Sequence, residues 1–137
     1  MKLIFLVALI AALTAMVRAP AAQAVDFRTP SKAAYCDFVP QGGIVDGVAT
    51  PRTDDMFCWT PRDGFTVQMT VRGRPQEVAG RGSHLEGAYA PVTRVLRFGQ
   101  RWRRGGFSCV SRRSGLTCVN RARHGWWLGR FMGSRLF

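Results

Sequence analysis

Short stretches of the chain alternate apolar and polar residues, and residues 65–72 show this pattern most clearly. In this segment, FTVQMTVR, every odd-numbered residue is apolar and every even-numbered residue is polar. A period of two residues is that of a β-strand with one face packed on a core and the other face toward solvent. Weaker strands are predicted at residues 34–39, 56–60, 93–98, 106–111, 116–120 and 126–132.

After residue 24, apolar residues do not recur at the helical spacings of three and four over any window of ten residues. Gly and Pro interrupt every segment, which also disfavours helices. Seven short strands separated by turn residues are typical of an all-β domain. We therefore predict a small antiparallel sandwich, or a rolled, barrel-like sheet, as the fold.

A run of apolar residues at 3–17 follows a single lysine at the start of the chain. At about 1.5 Å per residue, a helix of this run is about 22 Å long, shorter than the ~30 Å hydrocarbon core of a bilayer, which favours an export signal over a membrane span. The A-Q-A sequence at residues 22–24 has the small residues that signal peptidase requires. We predict a signal peptide at residues 1–24 and a single exported domain at residues 25–137, with an uncleaved N-terminal anchor as the alternative.

All four cysteines lie in the predicted exported domain. An even number of cysteines in an exported chain predicts disulfides and a secreted or periplasmic location. A zinc site is disfavoured, because the sequence has no C-x-x-C motif and His84 and His124 lie far from any closely spaced cysteine pair. The predicted disulfide-bonded residues are Cys36, Cys58, Cys109 and Cys118.

The segment at residues 107–119 has the pattern of a β-hairpin. A four-residue loop from Arg112 to Gly115, in which Gly115 is able to take a positive φ, places Ser111 opposite Leu116. Because antiparallel partners remain in register, the two strands then continue side by side away from this loop.

This register sets the disulfide pairing. It places Cys109 directly opposite Cys118, and cysteines that face each other across antiparallel strands lie within bridging distance. By elimination, Cys36 pairs with Cys58. The sequence therefore predicts one bridge within the hairpin and one in the N-terminal half.

Charge is distributed unevenly along a strongly basic chain, whose formal net charge is +12. Residues 25–86 carry seven cations and all eight acids, whereas residues 87–137 carry eleven arginines and no acid. Such asymmetry predicts contact with a polyanion. A basic surface that only keeps the protein soluble is the alternative.

In the predicted hairpin, three arginines and a tryptophan precede the first strand and two arginines follow the second, so that all collect at one end. Guanidinium groups bind phosphate and carboxylate oxygens through paired hydrogen bonds. Outside the cell, the partners of this chemistry are envelope phosphate polymers, acidic polysaccharides and nucleic acids. The predicted anion-binding residues are Arg101, Trp102, Arg103, Arg104, Arg121 and Arg123.

Two adjacent tryptophans, Trp126 and Trp127, occupy the last predicted strand. Neighbouring strand residues point to opposite faces, so at most one indole faces solvent while the other packs inside. A solvent-facing tryptophan near Arg123 and Arg130 would be a candidate platform for stacking a sugar or a base.

The sequence shows no pattern typical of a catalytic, metal or cofactor site, since G-x-S-x-G and H-E-x-x-H are absent. His84, Glu86 and His124, with the many arginines, are the components of a small secreted ribonuclease, but nothing in the sequence brings the histidines together. The leading hypothesis is therefore a non-enzymatic binding or envelope-associated module that contacts an anionic surface or polymer. A small nuclease and a protein-interaction module are the alternatives.

An ordered series of short motifs runs through nearly the whole predicted domain. Its members are FRTPS at 27–31, YC at 35–36, MFC at 56–58, LRFG at 96–99, GFSC at 106–109, SGLTCVN at 114–120, HGWWLGR at 124–130 and LF at 136–137. The series resembles a family of small secreted bacterial proteins, classed as a domain of unknown function, with the order F-x-S-P-S, Y-G, F-x-C-x-S, G-V-x-C-x-N and G-H-G-F-x-L-S-R. The resemblance implies an exported domain of this kind and no particular activity. The family carries six cysteines, and its third and fourth have no counterpart here. The absence of these two cysteines together is the result expected from the loss of one disulfide.

Overall fold

The computed structural model describes residues 26–42, 44–45, 48–49, 53–78, 94–131 and 133–137. Within these ranges the chain forms strands and no helix, which confirms the predicted all-β class. No helix of the described residues is long and apolar enough to cross a bilayer. The predicted signal peptide, residues 1–24, and the residues His84 and Glu86 lie outside the described residues.

The strands are short and form two separate antiparallel sheets. The first sheet has the order β1-β2-β5-β6-β7 and the second has the order β12-β11-β10-β9-β8, while β3 and β4 pair only with each other. The second sheet joins five strands that are consecutive in the chain, so each of its connections is a hairpin. The strands are β1 Phe27–Arg28, β2 Tyr35–Val39, β3 Ile44–Val45, β4 Val48–Ala49, β5 Asp55–Trp59, β6 Thr66–Thr70, β7 Gln76–Glu77, β8 Arg101–Arg104, β9 Phe107–Arg112, β10 Gly115–Val119, β11 Gly125–Gly129 and β12 Ser134–Leu136.

The two sheets pack face to face over a core in which both disulfides lie. Cys36 is bonded to Cys58 across β2 and β5, and Cys109 is bonded to Cys118 across β9 and β10, as predicted. In each bridge the two Cα atoms are 4.1 Å apart and the sulfurs are buried. Contact between the sheets is direct, because the Sγ atom of Cys109 lies 3.8 Å from the Sδ atom of Met56. Two disulfides of this kind indicate an oxidising, extracytoplasmic environment.

The predicted hairpin register is confirmed, with Ser111 opposite Leu116. Pairing continues for one more step to Arg112 and Gly115, so the loop contains two residues rather than four. Gly115 is required there, because a Cβ atom at this position would collide with the carbonyl oxygen of Leu128 on β11. Gly115 thus permits the close approach of β10 to β11.

Two strand predictions need correction. Of the segment predicted at 93–98, the described residues 94–98 form a parallel bridge between Val95 and Arg28 and no strand, and the chain turns after them at Gly99, where φ is +85°. The polar face predicted for residues 65–72 is not all solvated, because Thr66 is 1% exposed. Every residue of the neighbouring strand β5 is buried as well, so this part of the first sheet is buried on both faces.

Asn120 connects the two sheets at the end of β10. Its amide nitrogen donates hydrogen bonds to the carbonyl oxygens of Thr70 and Gly73, at 2.9 and 2.7 Å. Its amide oxygen accepts hydrogen bonds from the backbone N–H groups of Ala122 and His124, at 3.0 and 3.1 Å. A single buried side chain therefore shapes the turn before β11 and fixes that turn against the first sheet.

Candidate basic surface

The predicted anion-binding residues 101–104 precede the first strand of the hairpin, as expected, and form a strand of their own, β8, which pairs with it. The letters RWRR give little strand signal, because only one residue of the four is apolar. Strand alternation points Trp102 into the core, where it is 6% exposed and its ring centroid lies 5.1 Å from that of Phe27. The indole of Trp102 is thus a core group and is not available to a ligand on the surface.

Four of the five predicted arginines lie in or near the two turns at one end of the second sheet, and Arg101 lies farther along β8. Arg103 lies opposite Ser108, near the turn that joins β8 to β9, and Arg121 packs against Gly106 in that turn. Arg123 lies in the turn between β10 and β11, with a positive φ of 65°. Arg101 lies opposite Val110, three residues from the turn, which is about 10 Å at strand rise.

Arg104 is engaged by an acid from the other sheet. Its Nη1 atom lies 2.9 Å from the Oδ1 atom of Asp26, and its guanidinium carbon lies 4.5 Å from the centre of the Phe38 ring. The prediction of an acid-free cluster considered only neighbours in sequence, whereas Asp26 is 78 residues away along the chain. Arg104 therefore ties the two sheets together and is not a free anion-binding group.

Asp26 also faces a second carboxyl group, that of Asp37. Burial, repulsion from Asp26 and a hydrogen bond with Asp26 raise the pKa of Asp37 from 3.8 to about 7. The backbone of Phe38 and the charge of Arg104 oppose this shift only in part. Near neutral pH, Asp37 is consequently protonated in a large fraction of the folded molecules.

This pair predicts that stability falls as pH rises. Because the pKa of Asp37 in the folded protein, about 7, lies above its ordinary value of 3.8, the fold favours the protonated form, and that stabilisation is lost between these two pH values. At pH 8, Asp37→Asn should be more stable than the wild type by on the order of 1–2 kcal/mol, after allowance for the solvated part of the carboxyl. Urea unfolding between pH 4 and pH 8 measures the effect.

A suitable control for this prediction is Asp63→Asn. The pKa of Asp63 is lowered, chiefly by the hydrogen bond from the Thr60 hydroxyl, so this carboxyl is already charged over most of the same pH range. Its substitution should leave the fall in stability between pH 4 and pH 8 in place. A fall of equal size in Asp37→Asn and the wild type would contradict the raised pKa of Asp37.

The second sheet presents a regular outer face, which we define as its side chains directed away from the first sheet. Alternation along the strands buries every side chain between these positions, including Cys109, Cys118 and Trp126, and leaves those of the outer face exposed or half-buried. Register across the sheet aligns one row that runs from Arg101 on β8 to Arg135 on β12. The outer face consists of Arg101, Arg103, Ser108, Val110, Arg112, Thr117, Val119, Trp127 and Arg135.

The sequence did not identify Arg112 and Arg135 as members of this surface. The alternation of Cys109 with Ser111 was a usable signal for Arg112, because it points residues 108, 110 and 112 outward. Arg135 lies in a strand of three residues, which is too short for a period of two to be read from the letters. The predicted alternation of the tryptophans is confirmed, since Trp126 is fully buried and Trp127 is half-buried on the outer face.

Two glycines lie beside the indole of Trp127. A Cβ atom on Gly115 would lie 3.0 Å from its Nε1 atom, and one on Gly133 would lie 3.8 Å from its Cζ3 atom. These two atoms belong to opposite ends of the indole, and the two glycines lie on opposite sides of β11. The ring therefore lies across its own strand, over residues without side chains.

A cleft of about 320 Å³ opens beside this indole, where turns of both sheets meet. Three cations line it, Lys32, Arg62 and Arg130. Arg62 donates a hydrogen bond of 2.6 Å to the carbonyl oxygen of Phe131, and the guanidinium of Arg130 lies 4.9 Å from the Phe131 ring centre. The cleft also contains the hydroxyls of Ser31, Thr60 and Ser134 and the carboxylate of Asp63, which accepts hydrogen bonds from Thr60 and from the backbone N–H of Phe65.

Sulfur atoms of Cys36, Cys58 and Cys118 lie within 4.8 Å of one another, the spacing of a metal site. All of them are held in disulfides, so they offer no thiolate ligand. His124 is half-buried in the turn before β11, and His84 lies outside the described residues, so a two-histidine site stays a prediction.

A scan against protein-family models found no match for the chain. Searches of curated proteins and of solved structures found no match either. The resemblance to a family of secreted bacterial proteins therefore stays a prediction, and the function is inferred from the geometry of the described residues alone.

Proposed function

We propose that the protein is an exported, non-enzymatic binding module for anionic polymers and that the outer face of the second sheet is its contact surface. The observation that carries this proposal is the charge of that face. Four arginines, Arg101, Arg103, Arg112 and Arg135, are exposed on it, and residues 87–137 contain no acid. The predicted signal peptide and the buried disulfides are consistent with a role outside the cytoplasm.

The spacing of these arginines favours a polymer over a small ion. Arg101 and Arg135 belong to one row but lie four strands apart, which is about 19 Å at ordinary strand spacing. Arg103 and Arg112 lie about 13 Å apart along the strand direction, on the two sides of that row, by the same reasoning from strand rise. A single phosphate or carboxylate cannot touch groups so far apart, whereas a chain of repeating anions contacts several at once.

The positive charge of the outer face is little reduced by neighbouring acids. Between described residues, one ion pair is formed, and it engages Arg104 at the edge of the sheet instead of an arginine of the outer face. Arg101 donates a hydrogen bond of 2.9 Å to the neutral hydroxyl of Ser108, which orients the guanidinium and leaves its charge intact. The field of the four arginines is therefore available to a polyanion.

The test is the salt dependence of binding to duplex DNA, used as a model polyanion. Each phosphate contact contributes a slope of about −0.9 in a plot of log K against log salt, so four contacts give about −3.6. The double variant Arg101→Gln with Arg135→Gln should reduce the slope by nearly two units, as measured by fluorescence anisotropy at several salt concentrations.

The matched control is Arg72→Gln with Arg74→Gln, which removes two exposed arginines from the end of β6 in the first sheet. It makes the same change in net charge and should leave the slope within about half a unit of the wild-type value. Equal effects of the two double variants would show diffuse attraction by net charge and overturn the proposed surface. The absence of binding at low salt would overturn it as well.

A further inference from the structure

We propose that the polymer bound by the outer face is an acidic polysaccharide, with one sugar ring stacked on Trp127 and a neighbouring acidic group paired with Arg135. This inference rests on the proposed function and names its ligand class. It also assigns a role to the cleft beside Trp127, as the place where acidic sugars farther along the chain bind.

Trp127 has the position of a stacking platform. The two ends of its indole lie beside Gly115 and Gly133, which have no side chains to cover the ring, and the residue is half-buried, so part of the indole is open to solvent. The C–H groups of a sugar ring are apolar and weakly positive, and they match the negative face of an aromatic ring. A flat indole held on a rigid sheet presents that face without losing much side-chain freedom on binding.

Arg135 stands next to this platform. It is the direct partner of Trp127 across β11 and β12, and such partners have Cβ atoms about 5 Å apart. The guanidinium is exposed, whereas the partner on the other side of Trp127 is the hydroxyl of Thr117. A sugar stacked on the indole thus brings its carboxylate or sulfate within reach of a guanidinium fork and its hydroxyls within reach of a threonine.

The cleft continues this surface. Gly133 lies against the Cζ3 end of the indole and also lines the cleft, so the two sites adjoin. Three cations and one already hydrogen-bonded carboxylate give the cleft a net positive lining. The guanidinium of Arg130 is placed between the rings of Phe98 and Phe131, at 5.7 and 4.9 Å, which fixes its orientation before any ligand arrives.

These features favour a polysaccharide over the other polyanions. Single-stranded nucleic acid is bound by several aromatic rings in succession, whereas this surface carries two among the described residues, Trp127 within β11 and Phe137 just after β12. A simple polyphosphate chain has no ring to stack on the indole. The hydroxyl groups around the platform and in the cleft suit the hydroxyls of sugars, which both donate and accept hydrogen bonds.

Tryptophan fluorescence tests the platform, because Trp59, Trp102 and Trp126 are each 6% exposed or less. Quenching by acrylamide in the native protein therefore reports mainly on Trp127. An oligogalacturonate, which carries one carboxylate per sugar, should protect this fluorescence from acrylamide. An oligothymidylate with the same number of charges, and a polyphosphate, should protect it less.

Two variants measure the contribution of the ring. Trp127→Ala should lower the affinity for oligogalacturonate about tenfold, and Trp127→Phe should lower it about threefold or less, because a smaller ring still stacks. Calorimetry gives the affinities, and circular dichroism of each variant checks that the fold is kept. If Trp127→Ala does not fold, Trp127→Phe and the protection experiment on the wild type still decide the outcome.

Chain length tests the cleft. Oligogalacturonates long enough to reach from Trp127 past Gly133 should bind more tightly than dimers, and Lys32→Gln should remove part of that gain without changing dimer affinity. Equal affinity of short and long oligomers would overturn the role of the cleft.

Failure of this inference is distinguishable from failure of the proposed function. If neither protection nor a loss of affinity in Trp127→Ala is found while Arg101→Gln with Arg135→Gln still reduces the salt slope, the polysaccharide is overturned and the binding face stands. Stronger protection by oligothymidylate would overturn it in favour of nucleic acid. If the arginine pair has no effect on the slope, the proposed function itself fails.

Discussion

Asn120→Ala should lower the free energy of unfolding by about 3 kcal/mol, through the loss of four hydrogen bonds at a buried position. The substitution leaves the carbonyl oxygens of Thr70 and Gly73 without their donor and two N–H groups of the turn without their acceptor. Groups left unpaired in a buried place cost more than the net value of an ordinary hydrogen bond. Urea unfolding at constant pH measures the loss.

Asn120→Asp separates the two halves of this contact. The carboxylate keeps an acceptor for the N–H groups of Ala122 and His124 but has no donor for the carbonyl oxygens of the first sheet. Asn120→Asp should destabilise the protein at neutral pH. Part of the lost stability should return as pH falls, because a protonated carboxyl is a hydrogen-bond donor. A cost below about 1 kcal/mol for Asn120→Ala would mean that water replaces the amide and that the joint between the sheets is weak.

The parts of the fold that the sequence predicted are those with a local cause. In the hairpin of β9 and β10, the alternation of apolar residues and a glycine-containing turn set the register, and the register brought Cys109 opposite Cys118. The predicted division of the two tryptophans, with at most one toward solvent, follows from the same period, and the observed pairing of Cys118 with Trp126 sets which of them is buried. Each of these inferences needs only residues that are close in sequence or paired in one hairpin.

The parts that the sequence did not predict depend on contacts between distant segments. The pairing of Arg104 with Asp26 arises because the packing of one sheet on the other brings β8 beside the residue that precedes β1. Trp102 was assigned to the surface because three arginines surround it, although strand alternation turns it into the core. A charged strand with a single apolar residue resembles a loop until its partner strand is known.

The basic surface has one property that the sequence predicted and one that it did not. The eleven arginines of residues 87–137 and the lack of acids in this part of the chain are visible in the letters. Which arginines share a face depends on the order of five strands, from Arg101 at one edge to Arg135 at the other. Besides the arginines at the turns, the register adds a row across the sheet, in which Trp127 stands beside Arg135.

Removal of the disulfides should produce the other large loss of stability. Cys36→Ala with Cys58→Ala opens a loop whose ends are 22 residues apart, and Cys109→Ala with Cys118→Ala opens one whose ends are 9 residues apart. In the chain-entropy description these losses are about 3.4 and about 2.7 kcal/mol, because a bridge restricts the unfolded chain more when it closes a longer loop. Alanine is the appropriate substitute, since a serine hydroxyl in this dry core would be left without a partner.

Urea unfolding of the two double variants measures both losses and their order. The Cys36 and Cys58 variant should be the less stable by about 0.7 kcal/mol, and the hairpin variant should keep the binding face, because the register of β9 and β10 is also held by Ser111 and Leu116. Salt titration with duplex DNA on the folded hairpin variant checks that point, with a slope equal to that of the wild type as the expected result. A hairpin variant that is the less stable of the two, or one that folds but loses the slope, would show that the Cys109–Cys118 bridge organises the second sheet directly, beyond its effect on the unfolded chain.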